Sequence, residues 1–377
     1  MATGRDAWCY NYSRAAVETN MRRMIDTYNL EMTVAAGDTA KLASDTTQIS
    51  WNRELIRDAN RSVVHQYKPE ALRIGAYRPF CRQNVYFDRT MNAMVYQLER
   101  IYPTVRHENL CITAMAPRPS TDFAVMTTTG IPDLAEFTYA TQSFPRWTYE
   151  KSTDDGALFG SGDGAVDEWG YRRVDNITDA IRAVYRAKFG PGVSKDDIFF
   201  YVYGVLHSTQ YREAFAADLK RMLPRIPLAA NLADFQAFAD AGRRLSDLHI
   251  EYEQIEPYPL HEQAPMGVDE WELYRVTKMK WQNKETKKEL IYNSHITLGD
   301  IPAEAHEYML GSRSALEWLI DRYQVKTDKA SGIVNDPNAW AREHNDPRYI
   351  IDLVKRVTRV SVETMRIVKT LPELPLN

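Results

Sequence analysis

Residues 201–227 read YVYGVLHSTQYREAFAADLKRMLPRIP, and this segment decides the fold of the middle of the chain. Glu213 lies near the start of the predicted helix and Lys220 and Arg221 near its end, where these charges complement the helix dipole. Pro224 ends the helix. The pattern predicts a packed helical hairpin with a buried stripe and no evident catalytic group. One apolar stripe recurs every fourth residue and comprises Tyr211, Phe215, Leu219 and Leu223.

The two polar residues at the centre of this segment have structural explanations. His207 is predicted to be a helix-end or core histidine rather than a catalytic base. Ser208 follows it directly, but adjacent helix residues do not face each other, so the two do not form a nucleophile–base pair. Ser208 is predicted to cap the start of the next helix.

Periodicity outside this segment predicts an α+β fold, in which strand-rich regions flank the helical block and C-terminal helices close the chain. Ser194 and Ser50 are predicted N-caps, a third helix of the block is predicted over 231–248, and a hairpin is predicted over 271–300. The predicted divisions are an N-terminal helical segment (1–70), a strand-rich part (71–150), a linker or exposed loop (151–175), a helical block (176–260), and a hairpin with closing helices (261–377).

Composition excludes several classes of protein. The chain has 377 residues, 44% hydrophobic and 26% charged, with a net charge of −4, so any nucleic-acid surface must be a local basic patch. Two arginine- and lysine-rich stretches, 72–106 and 347–370, are equally well explained as solvated helix faces. Three widely spaced cysteines suggest a reducing compartment, and no apolar run predicts a membrane span or a signal peptide. We therefore expect a cytoplasmic protein.

Motifs for catalysis are missing from the sequence. It contains no phosphate-binding G-x-x-x-x-G-K-[ST], no [DN]-P-P-[YFW] of amino-methyltransferases and no H-E-x-x-H metal motif. Gly160, Gly162 and Gly164 weakly resemble a nucleotide-binding loop, but no hydrophobic strand precedes them, so they are predicted to belong to the linker. We expect neither a catalytic site nor a metal site in this chain.

Three stretches combine hydrogen-bonding side chains with turn formers, as in surfaces that bind nucleic acid. Arg and Lys can pair with guanine or phosphate, and Asn or Gln with adenine. The competing explanation is that Asn and Ser form turns and that Arg78 belongs to a structural ion pair. The first stretch offers Arg78, Arg82, Gln83 and Asn84; the second Lys278, Lys280, Gln282, Asn283 and Asn293; the third Lys326, Lys329, Ser331, Asn335 and Asn338.

At this point the sequence resembles a known family, the C-terminal specificity region of Type ISP restriction–modification enzymes. The segment 201–227 resembles that region's hallmark, and further segments keep its order over nearly the whole chain: TGRDAW, YRPF, TQSFPRWTY, YNSHITLGDIP, SALEWLIDRYQVKTDKASGIVNDPN and YIIDLVKRVTRVSVET. A departure is Cys81 after YRPF, where an acid is expected in many relatives, which leaves the role of an acid there in doubt.

The resemblance implies a double-stranded DNA recognition domain without its own catalysis. It implies upstream nuclease, helicase and N6-adenine methyltransferase domains in the same polypeptide, which would use S-adenosylmethionine, ATP and Mg²⁺. The chain is then expected to be a piece of a longer protein, with 1–70 partly the trailing edge of the methyltransferase. The alternatives are a self-contained methyltransferase or nuclease with an unrecognised site, and a non-catalytic scaffold that couples domains.

Overall fold

The computed structural model describes residues 1–35, 38–42, 45–118, 120–138, 140–152 and 165–376. Helices and small sheets alternate along the chain, so the predicted α+β class is confirmed. Gly160, Gly162 and Gly164 lie outside the described residues. In the described part, no helix is both long enough and apolar enough to cross a membrane.

Side-chain caps set the starts of several helices. Ser194 and Asp197 form a reciprocal capping box, and the Ser208 hydroxyl accepts from the amide of Tyr211 at 3.3 Å, so both predicted caps are confirmed. At the earlier site the cap is Asn52 rather than Ser50. The helices are α1 (Asp6–Cys9), α2 (Arg14–Ala35), α3 (Arg53–Asn60), α4 (Leu98–Ile101), α5 (Asp179–Phe189), α6 (Lys195–His207), α7 (Thr209–Ala214), α8 (Ala216–Leu219), α9 (Leu232–Ile250), α10 (Glu270–Leu273), α11 (Ala315–Arg322), α12 (Pro337–Glu343) and α13 (Tyr349–Lys369).

The strands are short and mostly antiparallel. Within the described ranges they form two four-stranded sheets, β1-β3-β2-β6 and β10-β13-β12-β11, one three-stranded sheet, β5-β4-β7, and three two-stranded ribbons. The strands are β1 (Tyr10–Asn11), β2 (Leu72–Arg78), β3 (Cys81–Tyr86), β4 (Cys111–Met115), β5 (Val125–Thr128), β6 (Ile131–Pro132), β7 (Thr141–Pro145), β8 (Trp147–Lys151), β9 (Tyr171–Asp175), β10 (His261–Gln263), β11 (Lys280–Trp281), β12 (Leu290–Ile291), β13 (Thr297–Gly299), β14 (Met309–Leu310), β15 (Arg313–Ser314), β16 (Lys326–Thr327) and β17 (Val334–Asn335).

Two predicted segments differ in detail from the structure. Within the hairpin predicted over 271–300, β11 pairs with β12 in register Lys280↔Ile291, but its predicted first strand begins as the helix α10. Asp269 caps that helix by accepting from the amide of Glu272, which favours a helical turn over a strand. In the region predicted as a linker, β9 pairs with β8.

The segment 201–227 is helical as far as Leu219, but it does not contain the single long helix that its stripe predicted. The chain leaves helical geometry at Phe215, which separates α7 from α8. The Tyr211 hydroxyl donates to the carbonyl of Arg225 at 2.9 Å, so the residues after Leu219 turn back. Tyr211 and Leu219 are buried as predicted, whereas Leu223 is 41% exposed.

The centre of the helical block is a close crossing of α6 and α9. A Cβ atom added at Gly204 would lie 2.3 Å from the Phe238 carbonyl oxygen, and one added at Gly242 would lie 1.9 Å from the Phe200 carbonyl oxygen. Only glycine allows the two backbones to approach this closely. The partner of α6 in the block is therefore α9.

Hydrophobic clusters connect distant parts of the chain. The largest contains Tyr12 and Phe80 together with side chains from 252–362, and a second surrounds α6 and α9. A third packs α2 against β3 and also includes Ile333. The N-terminal segment and the C-terminal hairpin β16–β17 are thus fixed relative to each other by shared packing.

Candidate nucleic-acid interface

Two of the three predicted recognition stretches lie side by side. The amide of Val325 donates to the carbonyl of Thr277 at 3.0 Å, which joins the chain before β11 to the chain before β16. The Asn338 side chain bonds both backbone groups of Val276, accepting at 2.9 Å and donating at 2.7 Å. These bonds hold the hairpins β11–β12 and β16–β17 in a fixed relation.

Four lysines of these stretches are exposed, and together we call them the lysine surface: Lys278, Lys280, Lys326 and Lys329. Buried Met279 separates the first two and anchors their strand in the core. Lys326 donates to the Asp321 carbonyl at 3.2 Å, so part of its charge is used internally. Among the described residues, Lys278, Lys280 and Lys329 have no carboxylate within ion-pair distance. These three are free to bind an external anion.

Sequence reasoning missed three further exposed cations next to this surface, Arg275, Lys284 and Lys288. The signal was the charge-rich run 278–289, which holds Lys284 and Lys288 and lies inside the hairpin predicted over 271–300. Arg275 lies just before this run. Glu285 and Glu289 lie in the same run, so the surface is basic but not uniformly so.

The predicted asparagines of the second and third stretches are structural. Asn293 donates to the carbonyls of Leu273 and Arg275 at 2.8 and 2.9 Å and accepts from two further amides. Asn338 is 5% exposed and holds Val276 as described above. Since their hydrogen-bonding groups are already paired, neither side chain is available to bind a base edge.

Asn335 and Ser331 fix the hairpin β16–β17 rather than extend from it. The side-chain oxygen of Asn335 accepts from the backbone amide of Tyr12 at 3.0 Å, and its side-chain nitrogen donates to the side-chain oxygen of Gln83 at 3.2 Å. The Ser331 hydroxyl donates to Asp328 at 2.7 Å. These bonds position Lys329 on a rigid turn.

The first stretch is also engaged within the protein. Arg78 forms a buried ion pair with Asp133 at 2.8 Å, which is the structural explanation considered for it. Burial raises the pKa of Asp133, and Arg78 opposes that shift. Arg82 pairs with Glu253 at 2.8 Å, and buried Asn84 donates to the Tyr12 carbonyl at 3.0 Å. None of these three predicted side chains joins the lysine surface.

The C-terminal basic stretch is largely neutralised. Arg348 and Lys355 both contact the carboxylate of Glu262, at 2.9 and 2.5 Å. Burial disfavours the ionised form of this carboxylate, but the two cations prevail and lower the pKa of Glu262 to about 2. The positive charges at the start of α13 therefore hold strand β10 in place.

Metal-binding clusters and activated thiols are two kinds of reactive group that the described part of the chain could hold. No set of three His, Cys, Asp or Glu side chains there is arranged to hold a metal ion. The three cysteines are buried and unpaired, and burial raises the pKa of Cys9 and of Cys111 to about 12, so neither thiol is a nucleophile near neutral pH.

Comparison with known proteins places the chain in one family. The model of the Type ISP C-terminal specificity domain matches residues 1–353. No curated protein matches the chain.

Three solved structures are similar over the whole chain. A nuclease-deletion mutant of the Type ISP restriction-modification enzyme LlaGI, in complex with a DNA substrate mimic, is 34% identical with a TM-score of 0.85. The ATP-dependent Type ISP enzyme LlaBIII bound to DNA is 32% identical with a TM-score of 0.86, and the DrdV–DNA complex is 30% identical with a TM-score of 0.83. Each match covers 100% of this chain but only 33%, 23% and 35% of the respective relative. The chain belongs to the family of Type ISP C-terminal specificity domains.

Proposed function

We propose that this chain recognises a target sequence in double-stranded DNA on behalf of a Type ISP restriction–modification enzyme. The observation that carries the proposal is the lysine surface. Three of its lysines have no carboxylate partner among the described residues, and they extend from two hairpins that hydrogen bonds hold together. The similar solved enzymes are bound to DNA or to a mimic of it, which supports the same partner here.

The electrostatics suit a protein that is acidic overall. The net charge is −4, yet many acidic side chains form ion pairs within the protein, such as Arg78–Asp133 and Arg348–Glu262. Duplex DNA binds to local positive potential, because each phosphate contact releases condensed counterions. A basic surface on an acidic body also limits unspecific binding by the other faces.

Base recognition requires side chains that are free to reach an edge. We propose that Gln282 and the neighbouring lysines perform it, since Gln282 is exposed at the turn after β11 and its amide can pair bidentately with adenine. Asn283 is less suited, because its carbonyl oxygen already accepts from the amides of Glu285 and Thr286. Asn293, Asn335 and Asn338 then support the surface without touching DNA.

The remaining activities belong to the larger polypeptide in this proposal. Upstream methyltransferase and helicase domains would carry out adenine-N6 methylation and ATP-dependent cleavage with S-adenosylmethionine, ATP and Mg²⁺, and the enzyme would act on DNA in the cytoplasm. The chain itself would select the DNA sequence that is bound and would catalyse no reaction.

Binding of labelled duplex DNA to the chain, measured over a range of salt concentrations, tests this proposal. We expect the logarithm of the affinity to fall linearly with the logarithm of the salt concentration. Binding that is insensitive to salt would contradict phosphate contact. Methyl transfer from labelled S-adenosylmethionine to DNA by this chain alone would contradict the division of labour.

A further inference from the structure

A cavity of about 440 Å³ opens beside the segment 201–227 and is distinct from the lysine surface. Three of its polar lining residues are His207 at the end of α6, Arg212 in α7, and Tyr308 just before β14. Met365 and Val368 of α13 contribute an apolar wall. The cavity therefore lies where the helical block meets the C-terminal part of the chain.

Each of the three polar side chains presents an atom without a partner in the described structure. These atoms are His207 Nε2, Arg212 Nη2 and the Tyr308 hydroxyl oxygen, and all three are shielded from bulk solvent. His207 and Tyr308 are only 3% and 2% exposed. Unpaired polar atoms at such depth are costly, and three that line one cavity indicate an occupant that pairs with them.

Arg212 supplies a positive charge that nothing in the described residues neutralises. Its Nε donates to the Leu206 carbonyl at 2.6 Å, and no carboxylate lies within ion-pair distance. Burial lowers its pKa, but an arginine remains charged. Asp122 and Glu307 at the rim pair with Lys220 and Lys369, at 3.4 and 2.9 Å, while the third rim acid, Glu213, is exposed. An anion at Arg212 would meet little opposing charge.

His207 supplies an acceptor rather than a donor. Its Nδ1 lies 2.9 Å from the Tyr203 carbonyl oxygen, which can only accept, so Nδ1 carries the proton. Burial, reinforced by Arg212 and His249, lowers the pKa of His207 well below its usual value, so the ring is neutral and Nε2 presents a lone pair. Tyr308 remains protonated, because burial raises its pKa, and it can donate.

An occupant must therefore accept from Arg212 and Tyr308 and donate to His207. A singly protonated phosphate meets all three requirements through its oxygens and its remaining hydroxyl. Sulfate and internal DNA phosphodiesters can only accept, so they leave His207 unsatisfied. We propose that this cavity binds phosphate or a phosphate monoester in its singly protonated form, with the apolar wall next to the organic group of a monoester.

Equilibrium dialysis of the chain with radiolabelled inorganic phosphate tests the site, with sulfate, adenosine 5′-monophosphate and adenosine as competitors. We expect saturable phosphate binding, competition by the monophosphate, and sulfate weaker by about tenfold, the cost of one missing hydrogen bond. Stronger competition by the monophosphate than by phosphate would identify a monoester as the ligand, and the reverse would identify free phosphate; both fit the site. Sulfate that competes as well as phosphate, or no saturable binding, would overturn the proposal.

Two conservative variants provide the control. Tyr308→Phe removes the donating hydroxyl but keeps the ring that stacks on His249 at 5.2 Å, so we expect a folded chain that binds phosphate about tenfold more weakly. Tyr323→Phe removes another buried tyrosine hydroxyl, one that does not line this cavity, and should leave phosphate affinity unchanged. Equal effects of the two changes on phosphate binding would refute the assignment.

Discussion

Removing the free charges of the lysine surface should flatten the salt dependence of DNA binding. The change is a triple variant, Lys278→Gln, Lys280→Gln and Lys329→Gln. These lysines are exposed and, in the described structure, lack carboxylate partners, so each can release one counterion when it meets a phosphate. Lys326 is left in place because it already donates to Asp321.

The magnitude follows from the number of phosphate contacts. Each contact contributes about 0.9 to the slope of log affinity against log salt, so three contribute about 2.7. Between about 50 and about 200 mM salt, the affinity of the unchanged chain should fall about 40-fold more than that of the variant. Fluorescence anisotropy with a labelled duplex at several salt concentrations measures both slopes.

A matched control separates local contact from net charge. Lys188→Gln, Arg221→Gln and Arg244→Gln remove three exposed cations from the helical block, so the net charge changes equally. We expect the control to keep the original slope and both variants to keep the original melting temperature. Equal slopes for the two triple variants would refute the claim that the lysine surface contacts phosphate.

Three further changes test the scaffold. Gly242→Ala should destabilise the chain by about 1–3 kcal/mol or more, because the added Cβ would collide with the Phe200 carbonyl. Gly192→Ala is the control, since the space around Gly192 is open, and it should leave the stability unchanged. Urea unfolding measures both variants, and equal effects would contradict the close crossing of α6 and α9. Asn338→Ala should lower the free energy of unfolding by about 1–3 kcal/mol, because it leaves the buried backbone groups of Val276 without hydrogen-bond partners. The salt dependence of DNA binding should stay the same. A variant that is as stable as the unchanged chain but has a relaxed sequence preference would show instead that Asn338 contacts a base. Burial raises the pKa of Glu136 from 4.5 to about 8, so the folded chain keeps this proton more tightly than the unfolded chain, and stability is lost as the pH rises from 4.5 towards 8. Glu136→Gln should therefore raise the melting temperature at about pH 9 and change it little near pH 4. An equal effect at both pH values would contradict a buried, protonated Glu136.

Local signals in the sequence predicted the elements well. Ser194 and Ser208 cap helices as expected, because a cap depends on residues only two or three positions away. The end of the stripe was harder to predict. Leu223 is not part of the buried stripe, because the Tyr211 hydroxyl donates to the Arg225 carbonyl and turns the chain back after Leu219. The periodicity of the sequence does not encode this contact.

The candidate site was predictable as a region but not as residues. Asn and Lys in a turn look equally suited to DNA, yet Asn293 and Asn338 turn inward to backbone groups while Lys278 and Lys329 stay in solvent. A short amide satisfies nearby backbone, whereas a long ammonium is costly to bury. The position of Arg212 beside a cavity depends on Tyr308, which lies far along the chain.

The bond between the amide of Tyr12 and the side chain of Asn335 joins residues 323 positions apart. Asn11 likewise donates to the Val334 carbonyl at 2.9 Å. Contacts of such high sequence separation slow folding, because a long loop must close before they form. On the ribosome, Asn11 and Tyr12 cannot complete these bonds until the residues around Asn335 have been synthesised. The surface that we assign to DNA should therefore be among the last parts of the nascent protein to mature.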